Sequence, residues 1–209
     1  MNLGFIFVCS IPAVALILGL RERWWLQQKM SAITYRINVN GTRGKSTLTR
    51  LITAALLEAG IPTIGKVTGS KSCLLTFEKT ETRLIAKEVE IIRRPEGPNI
   101  REIKVAIREA ADKEAEVLVA ECMAVNPEYQ KVYIQSYLQS NINIITNVLD
   151  DHLEILGPQL EDMADAFMAA VPAGSTLVVG PGEFLPYFQQ AALKKNIAVR
   201  VAKPDSIAK

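Results

Sequence analysis

The sequence predicts an α/β domain built on a mainly parallel β-sheet with helices on both of its faces. Two observations lead to this fold class. Short apolar runs typical of strands alternate with amphipathic stretches typical of helices along most of the chain, and one strand-like run is followed by a glycine-rich loop and a helical pattern. Parallel strands need crossover connections, usually helices, so the alternation predicts a parallel sheet. With 209 residues, 49% of them hydrophobic, the chain can bury one sizeable core.

Net charge and cysteine content argue against several classes of protein. The formal net charge is only +2, so nothing in the composition indicates a nucleic-acid partner. The three cysteines, Cys9, Cys73 and Cys122, are odd in number and lack a C-x-x-C spacing, which argues against a disulfide framework or a zinc ribbon. We therefore expect the folded part of the chain to lie in a reducing compartment.

The first apolar run predicts a membrane anchor. Residues 3–20 contain no charged side chain, and at about 1.5 Å per residue such a helix crosses most of a bilayer core of roughly 30 Å. Arg21, Arg23 and Lys29 follow, so the positive-inside rule predicts a single-pass protein of the cell membrane, with its N-terminus outside and its catalytic domain in the cytoplasm. A signal peptide would need a basic region ahead of the run, and a buried core helix is the remaining alternative. The predicted divisions are a transmembrane anchor at 1–22, a linker at 23–33 and a domain at 34–209.

Residues 35–59 predict a strand, a phosphate-binding loop and a helix, in that order. Polar and apolar residues alternate before the loop, and apolar residues recur at helical spacing after it. Gly41 and Gly44 allow positive φ and let the backbone approach a phosphate closely. The helix N-terminus attracts an anion, to which Lys45 adds a full charge and Ser46 a hydroxyl for Mg²⁺.

The remaining elements follow from the same two periodicities, with glycine and proline marking the breaks. A strand at 63–67 precedes two less defined β-like segments at 73–77 and 83–92, after which Pro95, Gly97 and Pro98 interrupt the chain. Beyond Asn99, a preferred helix N-cap residue, the predicted order is a helix through 110, a strand at 117–120, a helix at 127–139, a strand at 142–146, a helix at 160–170, a strand at 176–179, a helix at 184–195 and a strand at 198–201.

The functional groups of a parallel α/β sheet lie beyond the carboxyl ends of its strands. Four segments of this sequence hold that position, namely 41–47, 65–71, 121–127 and 146–152. Glu121 follows four apolar residues, where a carboxylate is costly to bury unless a cation or hydrogen bonds compensate it. A metal between Ser46 and Glu121 would do so, and a carboxylate that only caps the next helix is the alternative.

His152 is the single histidine of the chain, so any histidine-dependent chemistry must use it. A lone histidine is usually structural or solvated, but His152 follows Asp150 and Asp151 at the end of a predicted strand and is a candidate metal ligand or base. Mg²⁺ prefers oxygen ligands, so an imidazole ligand would allow Mn²⁺ to replace it.

Three motifs resemble those of the Mur ligase superfamily, ATP-dependent enzymes that join a carboxylate to an amine. They are a shortened Gly-Thr-x-Gly-Lys loop at 41–46, with Val39 in place of the first glycine of the general pattern, Glu121 at a strand end, and Asn-x-x-x-Asp-His at 147–152. Within that superfamily, residues 121–127 (Glu-Cys-Met-Ala-Val-Asn-Pro), residues 94–99 (Arg-Pro-Glu-Gly-Pro-Asn) and the N-terminal apolar segment resemble the amide ligase subunits of capsular poly-γ-glutamate synthases. The similarity covers nearly the whole chain and implies a Mur-ligase-like P-loop ATPase core.

This resemblance implies an ATP-dependent ligase that polymerises glutamate into poly-γ-glutamate through an acyl phosphate. The implied partners are glutamate, the poly-γ-glutamate chain, the membrane and other membrane subunits of the synthase complex, without nucleic acid, and the implied cofactors are ATP and Mg²⁺ or Mn²⁺. The implied catalytic residues are Lys45, Glu121 and His152. The implied metal ligands are Ser46 and Glu121 for one metal ion, and His152 for a second one near the acyl phosphate. The residues implied to bind the nucleotide are Gly41, Thr42, Arg43, Gly44, Lys45, Ser46, Thr47 and Asn147.

Four further residues are expected near the substrate. Lys66, like Arg43, is a candidate for phosphate or carboxylate contacts, and Thr68 is a candidate for a substrate contact. Arg93 and Arg94 are candidates for binding an acidic polymer, although a solvated basic turn explains the two arginines equally well.

The sequence departs from the superfamily in two respects. Many Mur ligases place a carbamylated lysine about one helix after the Asp-His pair, but residues 164–169 contain no lysine, so none is predicted. The family also continues well beyond residue 209, so we expect the ATP-binding domain to be incomplete at its C-terminal end. Two alternatives stay open: a membrane-anchored P-loop ATPase of another kind, and a non-catalytic nucleotide-binding subunit of a membrane complex.

Overall fold

Strand β1 lies near the middle of the sheet and leads into the glycine loop. The computed structural model describes residues 3–69, 71–93 and 97–203. The helices of these residues are α1 (Leu3–Ser31), α2 (Lys45–Glu58), α3 (Ile103–Asp112), α4 (Pro127–Lys131), α5 (Leu153–Leu156), α6 (Leu160–Ala170) and α7 (Leu185–Lys194). The strands are β1 (Tyr35–Asn40), β2 (Thr63–Val67), β3 (Cys73–Lys79), β4 (Leu84–Glu90), β5 (Val117–Glu121), β6 (Ile142–Ile145), β7 (Thr176–Val179) and β8 (Ala198–Val201). A 3₁₀ turn (Ile100–Glu102) precedes α3, and a π-helical turn (Val132–Leu138) follows α4.

These eight strands form one sheet in the order β4-β3-β2-β5-β1-β6-β7-β8. The six strands from β2 to β8 in this order are parallel to one another, whereas β3 and β4 add an antiparallel hairpin at one edge. From β1 the chain crosses to β2 on one side and later passes to β6 on the other, so the strand order reverses at β1. Ligands of open α/β sheets bind beyond the carboxyl strand ends at such a reversal, which is where the glycine loop lies.

Helices cover both faces of the sheet, as the predicted α/β class requires. On one face, Leu48, Ile52 and Leu56 of α2 pack against apolar residues of β1, β5 and β6. On the other face, α1, α3 and the π-helical turn share a core with Leu118 and Ala120 of β5. On this second face, α6 and α7 pack against β6 and β7, toward the β8 edge of the sheet. The alternation of side chains along each strand therefore separates two cores, one on each side.

The prediction of a transmembrane helix at residues 1–22 is wrong. Among the residues described, no helix combines the length and the apolar character that crossing a bilayer requires. The predicted single-pass placement, with the N-terminus outside and the domain in the cytoplasm, loses its basis as well. Instead of ending before a linker at 23–33, α1 continues through charged residues to Ser31, and Leu26, Met30 and Ile33 are buried in the domain core. The apolar run is thus the first part of a longer helix whose last turns belong to the domain.

The helix predicted at 127–139 is divided in the structure. It begins at Pro127, where the Asn126 side chain caps it by accepting from the Glu128 N–H at 2.9 Å. After α4 the backbone widens into the π-helical turn, in which Tyr133, Ile134 and Leu138 are fully buried. Turns of this kind are rare and often lie at functional sites, and here Tyr133 reaches the end of β5.

Candidate active site

The carboxyl ends of three adjacent strands bring the predicted site segments together. In the parallel pairing, Val39 of β1 lies opposite Glu121 of β5, and Asn40 of β1 lies opposite Ile145 of β6. The residues that follow each strand therefore converge at one edge of the sheet. They are the glycine loop after β1, residues 122–126 after β5 and residues 146–152 after β6.

The glycine loop is shaped by its two glycines. Gly41 has φ 114° and Gly44 has φ 82°, both in the region that favours glycine. A Cβ at Gly41 would lie 2.4 Å from the Thr146 Oγ1 and 2.9 Å from the Asn147 carbonyl oxygen. Gly41 is thus required by the close approach to the residues that follow β6, whereas Gly44, which has open space around it, is required by its φ as the N-cap of α2.

The segment after β6 holds the loop in place. The Thr42 N–H donates to the Asn147 carbonyl at 3.1 Å, and the Thr42 hydroxyl bonds both the carbonyl and the N–H of Leu149. The Asn147 side chain accepts from the Arg43 N–H at 2.9 Å and donates to the Arg43 carbonyl at 3.1 Å. Sequence reasoning assigned Thr42 and Asn147 to the nucleotide, but in this structure their side chains shape the loop.

Lys45 folds back over the loop. Its Nζ donates to the carbonyl oxygens of Gly41 at 2.7 Å and Thr42 at 2.9 Å. Burial lowers the pKa of Lys45, while the nearby carboxylates of Glu121 and Asp151 raise it. The ammonium is therefore held where the loop amides and the α2 N-terminus converge, which is where an anion binds.

Glu121 is a buried carboxylate with well-defined donors. It is 5% exposed, and its two oxygens accept from the Ser46 hydroxyl at 2.9 and 3.0 Å. One of them also accepts from the Thr68 N–H at 2.8 Å, and the Glu121 carbonyl accepts from the buried Tyr133 hydroxyl at 2.8 Å. These bonds compensate the burial of the charge and fix the carboxylate beside Ser46.

The oxygens of Ser46 and Glu121 fit a hard divalent cation. A hydroxyl and a carboxylate in contact are oxygen donors, which Mg²⁺ prefers, and Mg²⁺ usually takes its other ligands from phosphates and water. In the described ranges, no group of three or more histidine, cysteine, aspartate or glutamate side chains is placed to hold a metal. The protein would accordingly supply few of the ligands of such a metal ion.

His152 lies apart from that pair, although it lines the same cavity. It has φ 53°, its side chain is 50% exposed, and its Nδ1 lies 3.5 Å from a Glu154 carboxylate oxygen. Its Nε2 lies 3.8 Å from Asp151, whose other oxygen is 3.5 Å from an Arg43 nitrogen. The histidine that was predicted to help hold a second metal ion is thus turned toward acidic neighbours on its own segment.

A cavity of about 190 Å³ joins these groups. Lys45, Glu121 and His152 all line it, together with Thr68 and Asp151. Met123, Met163 and Phe167 give it an apolar wall. The cavity therefore places charged groups and an apolar surface around one space, as in many ligand sites.

Of the four predicted substrate residues, Thr68 lines the cavity, whereas Lys66 and Arg93 lie beside it. Lys66 is fully buried, with its Nζ 3.6 Å from Glu102, and does not line the cavity. Arg93 donates to the Thr68 carbonyl at 3.0 Å and lies 3.3 Å from Glu102. Arg94 lies outside the described residues. Lys66 and Arg93 therefore meet at one carboxylate, that of Glu102.

Two residues near the site, Glu102 and Tyr133, were not predicted. Glu102 stands three residues after Asn99, which is the spacing of a capping box, and both bonds of that box are present. This spacing could have placed Glu102 at a helix start, but not beside Lys66. Tyr133 carries no such signal, because the π-helical turn that directs it toward β5 has no simple sequence pattern.

A glycine loop between a parallel strand and a helix N-terminus, with a lysine and a serine on the loop and a carboxylate on the adjoining strand, defines a P-loop nucleotide-binding domain. A family model, the Mur ligase middle domain, matches residues 39–179, which is more than half of the chain. The chain belongs to the Mur ligase family.

Two curated relatives are similar over nearly all of this chain. PGA synthase CapB of Bacillus subtilis is 42% identical over 195 residues, which are 93% of this chain and 48% of that protein. Capsule biosynthesis protein CapB of Bacillus anthracis is 42% identical over 203 residues, which are 97% of this chain and 42% of that protein. The chain thus spans somewhat less than half the length of these curated relatives.

Among solved structures, the bifunctional folylpolyglutamate synthase/dihydrofolate synthase of Yersinia pestis, complexed with AMPPNP and a Mn ion, matches with a TM-score of 0.60. The match covers 86% of this chain and 45% of that chain at 15% identity. At this identity the likeness is one of fold.

Proposed function

We propose that this chain is part of an ATP-dependent amide ligase that polymerises glutamate into poly-γ-glutamate through an acyl phosphate. The choice of poly-γ-glutamate as the product rests on the 42% identity, over 93% of the chain, to a protein described as a PGA synthase. The geometry of the loop, Lys45 and Glu121 supports the use of ATP, and the structural neighbour with AMPPNP and Mn is consistent with it.

The loop binds the phosphates of ATP. The N–H groups at the start of α2 point toward the phosphates, and the Lys45 ammonium exchanges the carbonyls of Gly41 and Thr42 for phosphate oxygens. Arg43, whose side chain is 69% exposed, can reach a phosphate or a substrate carboxylate from the rim. Thr42 and Asn147 contribute by keeping the loop in shape.

Ser46 and Glu121 would hold Mg²⁺ or Mn²⁺, which neutralises phosphate charge. The Thr68 N–H fixes the orientation of the Glu121 carboxylate, and Tyr133 fixes its backbone. His152 is proposed to contact the reacting end of the substrate, because it lines the same cavity as Lys45. The charged groups thus surround the place where phosphoryl transfer puts negative charge.

Two displacements complete the reaction. An oxygen of the substrate carboxylate attacks the γ-phosphorus and ADP leaves, which gives an acyl phosphate. The amine of glutamate then attacks the acyl carbon, phosphate leaves, and the nitrogen loses a proton to give the amide. Met123, Met163 and Phe167 limit water around the acyl phosphate, which would otherwise be hydrolysed. Further subunits of a polyglutamate synthase would be the partners.

Glutamate-dependent ADP release by the purified protein tests this function. We expect Lys45→Ala to lower the rate by about 100-fold or more, because it removes the charge that stabilises the transferred phosphoryl group. Lys194→Ala, which changes an exposed lysine on α7, should leave the rate unchanged.

Other results would support different functions. ADP release that does not depend on glutamate and gives no polymer would indicate an ATPase of another kind. ATP binding without turnover would indicate a non-catalytic nucleotide-binding subunit. Full activity of Lys45→Ala would show that the loop assignment is wrong.

A further inference from the structure

The Glu102 carboxylate joins four segments beside the candidate site. One oxygen lies 3.6 Å from the Lys66 Nζ and accepts from the Ser72 hydroxyl at 3.1 Å. The other lies 3.3 Å from the Arg93 Nε and accepts from the Asn99 N–H at 3.2 Å. The Glu102 side chain is only 11% exposed, so these contacts are poorly screened by water.

This cluster is connected to the predicted metal ligand by two hydrogen bonds. Arg93 donates to the Thr68 carbonyl at 3.0 Å, and the Thr68 N–H donates to Glu121 at 2.8 Å. Thr68 is therefore held on one side by Glu121 and on the other by an arginine that Glu102 fixes. A substitution of Glu102 should therefore alter the position of the Glu121 carboxylate through the backbone of Thr68.

The charge of Lys66 supplies a second connection between Glu102 and Glu121. Its side chain has no exposed surface, and its Nζ has no hydrogen-bond partner among the described groups. Burial lowers the pKa of Lys66 to about 8, against the opposing influence of Glu102 first and Glu121 second. Without the charge of Glu102, the pKa of Lys66 falls further, and wherever Lys66 keeps its proton Glu121 is the carboxylate left to neutralise the ammonium. An ammonium that pairs with Glu121 competes with a metal ion for the same carboxylate oxygens.

We propose that Glu102 is a positioning residue for the metal site: it neutralises Lys66 and fixes Arg93, so that Glu121 stays directed at Ser46 and available to a divalent cation. The inference rests on the proposed role of Glu121 in binding metal with ATP. It does not depend on which acid or amine the enzyme joins.

The test compares ATP binding by isothermal titration calorimetry with Mg²⁺ and with EDTA. Glu102→Gln keeps the size of the side chain and removes its charge. We expect the gain in ATP affinity that Mg²⁺ provides to fall by about tenfold, as for other groups that orient metal ligands, while affinity in EDTA stays within about twofold of wild type. Lys66→Met in the Glu102→Gln background should restore the gain, because the competing cation is then absent.

An undiminished Mg²⁺ gain in Glu102→Gln would overturn the proposal, and so would an equal loss of affinity in EDTA, which a merely structural role predicts. If Glu102→Gln does not fold, recovery of folding by Lys66→Met supports the proposal, and a double variant that also fails to fold contradicts it. Wild-type protein that binds Mg²⁺ and ATP without glutamate-dependent turnover would refute the ligase function alone.

Discussion

At Gly41 the loop passes so close to Thr146, just after β6, that one methyl group does not fit. A Cβ there would lie 2.4 Å from the Thr146 Oγ1, at a φ that alanine rarely adopts. We expect Gly41→Ala to lower the free energy of unfolding by about 1–3 kcal/mol and to weaken ATP binding by at least about tenfold. Gly180→Ala is the matched control, because Gly180 follows β7 in open space. Urea denaturation measures the free energy of unfolding, and calorimetry measures the affinity for ATP. Equal values for the two variants would contradict the assignment of Gly41 to a close contact within the phosphate-binding loop.

The buried Lys66 predicts a pH dependence of stability. Its folded pKa of about 8 lies below the ordinary 10.5, so the folded state binds fewer protons than the unfolded state between these values. The free energy of unfolding should therefore rise with pH in this window, by about 3 kcal/mol at most from this group. Urea denaturation at intervals from pH 8 to 10.5 measures it. The slope for Lys66→Met should be smaller than that for wild type, and equal slopes would show that Lys66 is solvated.

Helix α1 changes its surroundings along its length. Its middle residues are exposed, with Leu20 at 57%, whereas Leu26 is 6% exposed within the core that α3 shares. Leu26→Ala should lower the free energy of unfolding by about 2–5 kcal/mol, because it leaves a cavity. Leu20→Ala should change it by less than about 0.5 kcal/mol. Denaturant unfolding compares the two, and a similar small effect at both positions would mean that the last turns of α1 do not belong to the core.

The contrast between α1 and the loop explains which elements could be predicted. The strand, glycine loop and helix at 35–58 were predictable, because glycine and periodicity are local signals. The apolar run at the N-terminus was misread, because hydrophobicity does not tell a membrane span from a helix whose last turns enter a protein core. The π-helical turn likewise depends on the tertiary packing of Tyr133 rather than on local sequence.

In the candidate site, too, some contacts could be predicted from the sequence and others could not. That Ser46 and Glu121 would meet followed from the rule that functional groups lie at carboxyl strand ends. The buried pair of Lys66 and Glu102 could not be predicted, because Lys66 lies on β2 and Glu102 precedes α3. Only the packing of α3 against the sheet brings the two together.

The sheet as a whole carries the site on strands that are distant in sequence. β1, β5 and β6 are adjacent, and their carboxyl ends supply the loop, Glu121 and Asn147. The backbone of Thr68, just after β2, is bonded to Glu121. A nucleotide bound at the loop would thus be coupled to four strands through hydrogen bonds already present.

These hydrogen bonds predict which segments of the molecule nucleotide binding should stabilise. At about 100 times its Kd, ATP with Mg²⁺ should raise the free energy of unfolding by about 2.7 kcal/mol. In hydrogen exchange with mass spectrometry, we expect added protection at 41–47, at Thr68 and at 146–149, since these segments share hydrogen bonds with the loop or with Glu121. The outer strands β4 and β8 should be unchanged. Lys45→Ala, which lacks the phosphate-binding charge, should show none of this protection at the same ATP concentration. Protection confined to 41–47 in the wild-type protein would mean that the loop binds nucleotide without engaging Glu121 and Asn147, and would contradict the coupling.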